Sequence, residues 1–332
     1  MSLSGPLAAR CPGRTGRAMA ELAAHGLVPD RCPTTWADDG RTAGPREARA
    51  AALTAAFRDS EVRAVVGTVG GSGARDVVAH LDPAELAAHP TALMGYSDLG
   101  SILLWLHEHT GLTTFYGPAA LPQFGEAGGC DPYTWRHAWS VLADDPSGGP
   151  APVELAPAGY VVVEYREWDV ADDVARRPLA WAGRRAWRTG SATAPVVAAN
   201  IATLAGDLRA GIVPRSWAGR AVFLEESDTA RWEDFCAHLD VIERANLLDG
   251  AACVVFGVFP HLVTGQWQEE QVRDRLSRTV RGCAGPVVSG VEFGHTDPMV
   301  TLPLGATAEI RAVAGEEPRL WLTARTAGGR HG

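Results

Sequence analysis

Residues 62–82 read VRAVVGTVGGSGARDVVAHLD, and the pattern changes twice within this stretch. The β-branched run VRAVVGTV is typical of a buried strand, and the glycines that follow it indicate a tight turn. The segment ARDVVAHLD then has apolar residues at helical spacing. The stretch therefore predicts a strand, a glycine turn and a helix in succession.

The chain before residue 120 repeats this design. A buried strand is predicted at 92–95, a turn at 96–98 and a helix through SILLWLHEH, and a third strand is predicted at 112–116. Strands that alternate with helices favour a parallel sheet covered by helices, with its site at the carboxyl ends of the strands. We therefore predict an α/β fold with a Rossmann-like N-terminal domain.

A domain boundary is predicted by DDPSGGPAPVELAP, residues 144–157, where proline, glycine and serine concentrate. We expect a nucleophile domain over 1–145, a linker over 146–160, and a smaller, strand-richer α/β domain over 161–332 that carries an acid and a histidine. Strands of the second half are predicted at 220–225, 252–258, 286–292, 308–313 and 319–323, and helices near 230–245 and 268–281.

Composition excludes several classes of function. The 332 residues carry 39 acidic and 30 basic side chains, a net charge of -9, so the chain lacks the basic footprint of a nucleic-acid-binding protein. Every basic residue is arginine. Without lysine the chain has no Walker P-loop, no Schiff base to pyridoxal phosphate, no kinase ATP lysine and no Ser-Lys dyad.

The cysteines and the apolar pattern predict a cytoplasmic location without a membrane anchor. The six cysteines are far apart, with no C-x-x-C pair, and are typical of reduced thiols. The longest apolar stretch, residues 251–263, is interrupted by Gly257 and Pro260 and is too short to span a bilayer. The opening residues lack the apolar core of a signal peptide.

Ser97 is the candidate nucleophile. In GYSDLG, residues 95–100, it lies between a buried strand and a helix, where a tight turn exposes the hydroxyl and the helix N-terminus offers free amides. The spacing is one residue off the common hydrolase pattern, and a simple helix N-cap is the alternative. Backbone amides of Asp98 and of Gly71 in the glycine turn are the expected oxyanion donors.

Glu225 and His295 are the candidate acid and base. Glu225 closes the strand AVFLE, and His295 lies in the turn GHTDP after another strand. The chain order of serine, acid and histidine, each at a strand end, suits a nucleophile, an orienting group and a general base. His107 and His109 are two apart on a helix and point to different faces, so no metal is expected.

Five motifs together resemble the LD-carboxypeptidase family of serine peptidases. These are TVGGSG (68–73), GYSD (95–98), TTFYGPAALPQFGE (113–126), VFLEE (222–226) and FGHTDPMVTLPLGA (293–306). Within the family they are most similar to the branch of microcin C immunity proteins. The family's Gly-Gly-Asn ahead of the acid strand is replaced here by Ala-Ala-Asn, residues 198–200.

The resemblance implies a Ser-Glu-His triad at Ser97, Glu225 and His295, a homodimer, and no cofactor. It also implies that Trp168, in EYREWDVADD, stacks on a nucleotide base, although packing of the domain interface is the alternative. The expected activity is hydrolysis of an aminoacyl-nucleotide amide of the microcin C type, for self-immunity or detoxification. Cleavage of murein tetrapeptide in cell-wall recycling and non-catalytic binding are the alternatives.

Overall fold

The structure is a computed structural model that describes residues 1–30, 32–142, 152–164 and 166–323. Its helices are α1 (Leu7–Arg10), α2 (Pro12–Ala24), α3 (Arg46–Arg58), α4 (Ala74–Val78), α5 (Pro83–Ala88), α6 (Gly100–Thr110), α7 (Pro132–Leu142), α8 (Ile201–Ala210), α9 (Trp232–Arg244), α10 (Pro260–Val263) and α11 (Glu269–Thr279). In these ranges, none of the helices combines the length and the apolar character needed to cross a membrane.

The strands belong to two main sheets and one small ribbon. They are β1 (Ala64–Val66), β2 (Ala92–Gly95), β3 (Phe115–Tyr116), β4 (Val153–Glu154), β5 (Tyr160–Val161), β6 (Leu179–Ala180), β7 (Arg185–Arg188), β8 (Gly190–Asn200), β9 (Ala221–Glu225), β10 (Cys253–Gly257), β11 (Val287–Val291), β12 (Leu302–Pro303), β13 (Thr307–Ala312) and β14 (Arg319–Thr323). The ribbon consists of β5 and β6, which are antiparallel.

The first sheet has the strand order β1-β2-β3-β12. Its first three strands are parallel, as the alternation of strands and helices predicts, and β1 is in register with β2 from Ala64 opposite Ala92. The edge strand β12 comes from the C-terminal half of the chain and pairs antiparallel with β3. The two halves of the chain are therefore joined within one sheet.

The second sheet has the order β4-β14-β13-β8-β9-β10-β11-β7. Its central strands β8 to β11 are parallel, and antiparallel strands lie on either side. The predicted α/β fold with a second, strand-rich unit is confirmed. The second sheet has eight strands and the first has four.

The predicted linker is only partly described, because residues 146–151 lie outside the described ranges. Residues 153 and 154 form β4, which pairs with β14 at the edge of the second sheet. Just after the predicted linker, Val161 belongs to β5, Val162 forms an isolated bridge with Asp297, and position 165 is outside the described residues.

One apolar core connects the two sheets. Leu103 and Leu104 of α6 belong to the same buried cluster as Val196 of β8 and Phe223 of β9. Burial of side chains of this size is worth about 1.5–3 kcal/mol each. The shared core holds the carboxyl ends of β2 and β9, where Ser97 and Glu225 are found, against one another.

Candidate active site

Ser97 lies in a strained turn immediately after β2. Its backbone φ is +62°, a left-handed conformation that costs a residue with a side chain about 1–3 kcal/mol. A 3₁₀ turn over Ser97–Leu99 leads directly into α6. Because Gly70 has no side chain, the glycine turn can lie close to Ser97. A Cβ at residue 70 would be 2.8 Å from Ser97 Oγ.

Glu225 ends β9 and is completely buried. Its Oε1 accepts a hydrogen bond from the Tyr116 hydroxyl at 2.6 Å, and its Oε2 accepts one from His295 Nδ1 at 2.6 Å. The backbone N–H of His295 donates to the same Oε2 at 3.3 Å. Gly294 leaves room for this carboxylate, since a Cβ at that position would come within 2.5 Å of Oε2.

His295 connects the acid to the serine. Because the Glu225 carboxylate can only accept at Nδ1, this nitrogen carries the proton of the neutral imidazole, and Nε2 is then free to accept. His295 Nε2 lies 3.2 Å from Ser97 Oγ, within hydrogen-bond reach. The structure therefore brings together the three residues that the sequence singled out, Ser97, Glu225 and His295.

Burial and the charge of Glu225 together set the pKa values along this chain of hydrogen bonds. Burial lowers the pKa of His295, but the Glu225 carboxylate and its hydrogen bond outweigh burial and raise that pKa from 6.5 to about 9. Burial, followed by the charge of Glu225, raises the pKa of the Tyr116 hydroxyl well above 10. Tyr116 is therefore a neutral donor to Glu225 near pH 7.

Glu226 follows Glu225 but has different partners. Its Oε1 accepts hydrogen bonds from the Ser227 backbone N–H at 2.8 Å and from Asn200 Nδ2 at 3.4 Å. Burial raises the pKa of Glu226 to about 7, and the neighbouring Glu225 adds to the shift. Asn200 also caps α8 through the Thr203 N–H at 3.0 Å.

The glycine turn is tied to the serine turn by the Asp98 side chain. Asp98 Oδ2 accepts the Ala74 N–H at the start of α4 at 2.8 Å and the Ser4 hydroxyl at 2.5 Å. Gly71 has a φ of +119°, which favours glycine, and a Cβ there would lie 3.1 Å from Gly5 Cα. The two expected oxyanion donors thus belong to neighbouring turns joined by one carboxylate.

Trp168 is half-buried on a small apolar cluster with Cys11, Leu121 and Val69, the last of which precedes the glycine turn. The Arg14 guanidinium lies over its ring at 4.3 Å from the centroid. The tryptophans at 181 and 187 are structural: Trp181 Nε1 donates to the Gly290 carbonyl at 3.1 Å, and Trp187 packs against Phe256.

No group of three or more side chains able to hold a metal ion occurs within the described ranges. His107 Nδ1 is within hydrogen-bond distance of the Leu112 carbonyl at 2.9 Å, and His109 Nδ1 of the Trp105 carbonyl at 2.8 Å. Both imidazoles therefore have local backbone partners.

Tyr116 is the residue of this site that sequence reasoning missed. Its hydroxyl donates to Glu225 and accepts the Ser97 backbone N–H at 3.2 Å, so it contacts two of the three candidate residues. The available signal was its place at the carboxyl end of the predicted third strand, the same edge as Ser97.

Two family models match the chain. Residues 1–117 match the LD-carboxypeptidase N-terminal domain, and residues 193–310 match the LD-carboxypeptidase C-terminal domain. The matched segments contain Ser97, Glu225 and His295.

Individual relatives align over most of the chain. It is 26% identical over 319 residues to a carboxypeptidase candidate from Vibrio cholerae, an alignment that covers 93% of this chain and 90% of that protein. It is 24% identical over 311 residues to the microcin C7 self-immunity protein MccF of Escherichia coli, covering 93% of this chain and 88% of that protein. A solved structure of MccF in complex with glutamyl sulfamoyl guanosine has the same fold, with a TM-score of 0.86 and 22% identity over 99% of this chain and 96% of that chain.

Proposed function

The chain belongs to the LD-carboxypeptidase family, and from this we propose that it is a serine hydrolase in which Ser97, His295 and Glu225 are nucleophile, general base and orienting acid. One observation carries the proposal: a continuous series of hydrogen-bond distances, 3.2 Å from Ser97 Oγ to His295 Nε2 and 2.6 Å from His295 Nδ1 to Glu225. A serine that only capped its helix would not need this arrangement.

In the proposed reaction Ser97 Oγ attacks the scissile carbonyl carbon while His295 Nε2 takes the hydroxyl proton. The backbone N–H groups of Gly71 and Asp98 stabilise the negative oxygen of the tetrahedral intermediate. His295 then gives the proton to the leaving nitrogen, and water releases the acyl group from Ser97 by the same route. Glu225 keeps its charge throughout and stabilises the imidazolium.

The proposed substrate is an aminoacyl-nucleotide with an amide-type bond, cleaved for self-immunity or detoxification. The support is twofold. Trp168 presents a half-buried indole near the glycine turn, suited to stacking on a base. The relative MccF, whose name describes microcin C7 self-immunity, has been solved with a sulfamoyl nucleotide that carries a glutamyl group.

Murein tetrapeptide is the second candidate substrate, because LD-carboxypeptidase is the activity for which the matched family is named. Such a peptide has no base for Trp168 to bind. On this alternative the half-buried indole only packs beneath Arg14.

We also propose a cytoplasmic homodimer. The six cysteines are all free thiols, as in proteins of a reducing compartment. The dimer rests on the family resemblance, and light scattering coupled to gel filtration measures it directly. A monomer at micromolar concentration would contradict it.

A hydrolysis panel tests the proposed function. Aminoacyl sulfamoyl adenylates and murein tetrapeptide are incubated separately with the protein, and mass spectrometry follows the products. Release of an amino acid from the adenylates supports the first substrate, and release of terminal D-Ala supports the second. If neither product is released above the level of a Ser97→Ala blank, the proposal is contradicted.

A further inference from the structure

The turn that carries His295, residues 294–298, is held from outside the triad. Asp297, two residues after His295, is buried and forms an ion pair with the Arg176 guanidinium. The Asp297 backbone pairs with Val162, accepting its N–H at 2.5 Å and donating to its carbonyl at 3.1 Å. Val162 and Arg176, two residues of the stretch between β5 and β7, therefore hold this turn through backbone and side-chain contacts.

Arg176 joins Asp297 to a second carboxylate. Its Nε donates to Glu126 Oε2 at 3.0 Å, and its backbone N–H donates to Glu126 Oε1 at 3.2 Å. Glu126 also accepts from Arg14 Nη2 at 2.6 Å, and Arg14 and Arg17 both pair with Asp172. The network contains three guanidinium groups and three carboxylates, so its charges balance.

This network reaches the candidate active site through Tyr96, the residue before Ser97. The Tyr96 ring meets the His295 ring edge-on, with centroids 5.0 Å apart. Burial raises the pKa of Tyr96, and the Asp297 carboxylate adds to the shift. Asp297 therefore lies near a side chain that contacts His295.

We propose that Arg176 is a positioning residue of the reaction, which fixes the His295 turn through its ion pair with Asp297. The role given to His295 rests on the proposed function. Arg176 itself is a member of neither the triad nor the oxyanion site, and it acts through Asp297.

Several carboxyl groups lie around His295. Glu225 comes from β9, and Glu226 and Asp228 follow that strand, and all three favour the protonated imidazole. Asp297 lies on the same turn as His295, and the tyrosines at 96 and 116 are neutral near pH 7. Burial raises the pKa of Asp297 and the Arg176 guanidinium opposes that shift, so without Arg176 the Asp297 carboxyl takes up a proton and the His295 turn loses its ion pair.

The test measures His295 directly in the full chain. Proton–nitrogen NMR of histidine-labelled protein gives the pKa of the His295 imidazole, and the rate of labelling of Ser97 by a fluorophosphonate gives its reactivity. Arg176→Gln should slow labelling at pH 7 by about tenfold through misplacement of the imidazole, and should leave the pKa of His295 unchanged because Asp297 becomes neutral when its partner is gone. The double variant Arg176→Gln with Asp297→Asn should be labelled at the rate of Arg176→Gln, because the ion pair is absent from both proteins.

Two further variants control for folding and for charge. Arg177→Gln removes the exposed arginine next to Arg176, and it should leave both readouts unchanged. Arg176→Lys keeps the charge and should restore much of the wild-type labelling rate even if Arg176→Gln folds poorly. Arg176→Gln protein that is labelled as fast as wild type would overturn the inference. If wild-type Ser97 is not labelled at all, the proposed function fails, and the His295 ring signals still decide the role of Arg176, since they should shift in Arg176→Gln and return to their wild-type positions in Arg176→Lys.

Discussion

The hydroxyl of Tyr116 lies 2.6 Å from Oε1 of Glu225 and donates a hydrogen bond to it. This contact joins the end of β3 in the first sheet to the end of β9 in the second. It occupies one carboxylate oxygen and leaves Oε2 for His295. The orientation of the acid therefore depends on both sheets being in place, and on the core that they share.

Glu225→Gln should lower kcat by several orders of magnitude with little change in substrate binding. The amide cannot accept at both of its terminal atoms, so it loses either Tyr116 or the productive orientation of His295. Steady-state kinetics on the substrate selected by the hydrolysis panel measures the loss.

Glu226→Gln is the matched control for that variant, because Glu226 is a neighbouring buried carboxyl that contacts Asn200 and Ser227. It should retain activity within a few-fold. An inactive Glu226→Gln protein beside an active Glu225→Gln protein would show that the wrong neighbour has been assigned.

The pH profile of activity should have its acid limb centred above the ordinary pKa of histidine. His295 must be neutral to accept the Ser97 proton, and Glu225 raises its pKa to about 9. Therefore kcat/KM should rise as the pH increases through this pKa and fall on the acid side, where the imidazole is protonated. In Glu225→Gln the residual activity should have its acid limb at lower pH. A wild-type limb at or below 6.5 would contradict this prediction.

Gly71→Val should raise the activation barrier by on the order of 3 kcal/mol if one oxyanion donor is lost. The cause is local, since Gly71 has a φ of +119° and a side chain there would press on Gly5. Gly16→Ala on α2, where a Cβ meets nothing within 4 Å, is the control. A crystal structure with a boronate on Ser97 would give the donors directly, and an oxygen far from both amides would remove the assignment.

Trp168→Ala should raise KM for an adenylate by about tenfold or more, as expected for ~1–3 kcal/mol of lost base stacking. The same change should barely affect a murein tetrapeptide, which has no base. Trp139→Ala, an exposed tryptophan on α7, is the control. Equal losses on both substrates would mean that Trp168 only supports packing around Arg14, and a loss confined to the peptide would overturn the adenylate proposal.

The parts of the site found from sequence share a local signal. Ser97 follows a buried apolar strand, Glu225 ends another, and His295 lies in a turn between Gly294 and Pro298. Strand and turn patterns of this kind can be recognised within a single short segment of sequence. Tyr116 has no such signal, because its function arises only when β3 and β9 meet across the core.

The long strand β8 was missed for a different reason. GSATAPVVAAN contains alanine, serine and proline, which have weak strand preference. It is extended because β9 pairs along one edge and β13 along the other. Tertiary pairing overrides local propensity here, and the same holds for Arg176, whose partners are about 50 and 121 residues away along the chain.

The most direct test of the account is a fluorophosphonate adduct located by mass spectrometry. The reagent reports an activated serine independently of the natural substrate, and so separates an enzyme from a binding protein on the same scaffold. Ser97 should be the labelled residue in wild type, Ser97→Ala should be inert, and His295→Ala should lose most of the labelling because members of a triad act as a unit. Folded wild-type protein that stays unlabelled at Ser97, or His295→Ala protein that reacts as fast as wild type, would contradict the central claim.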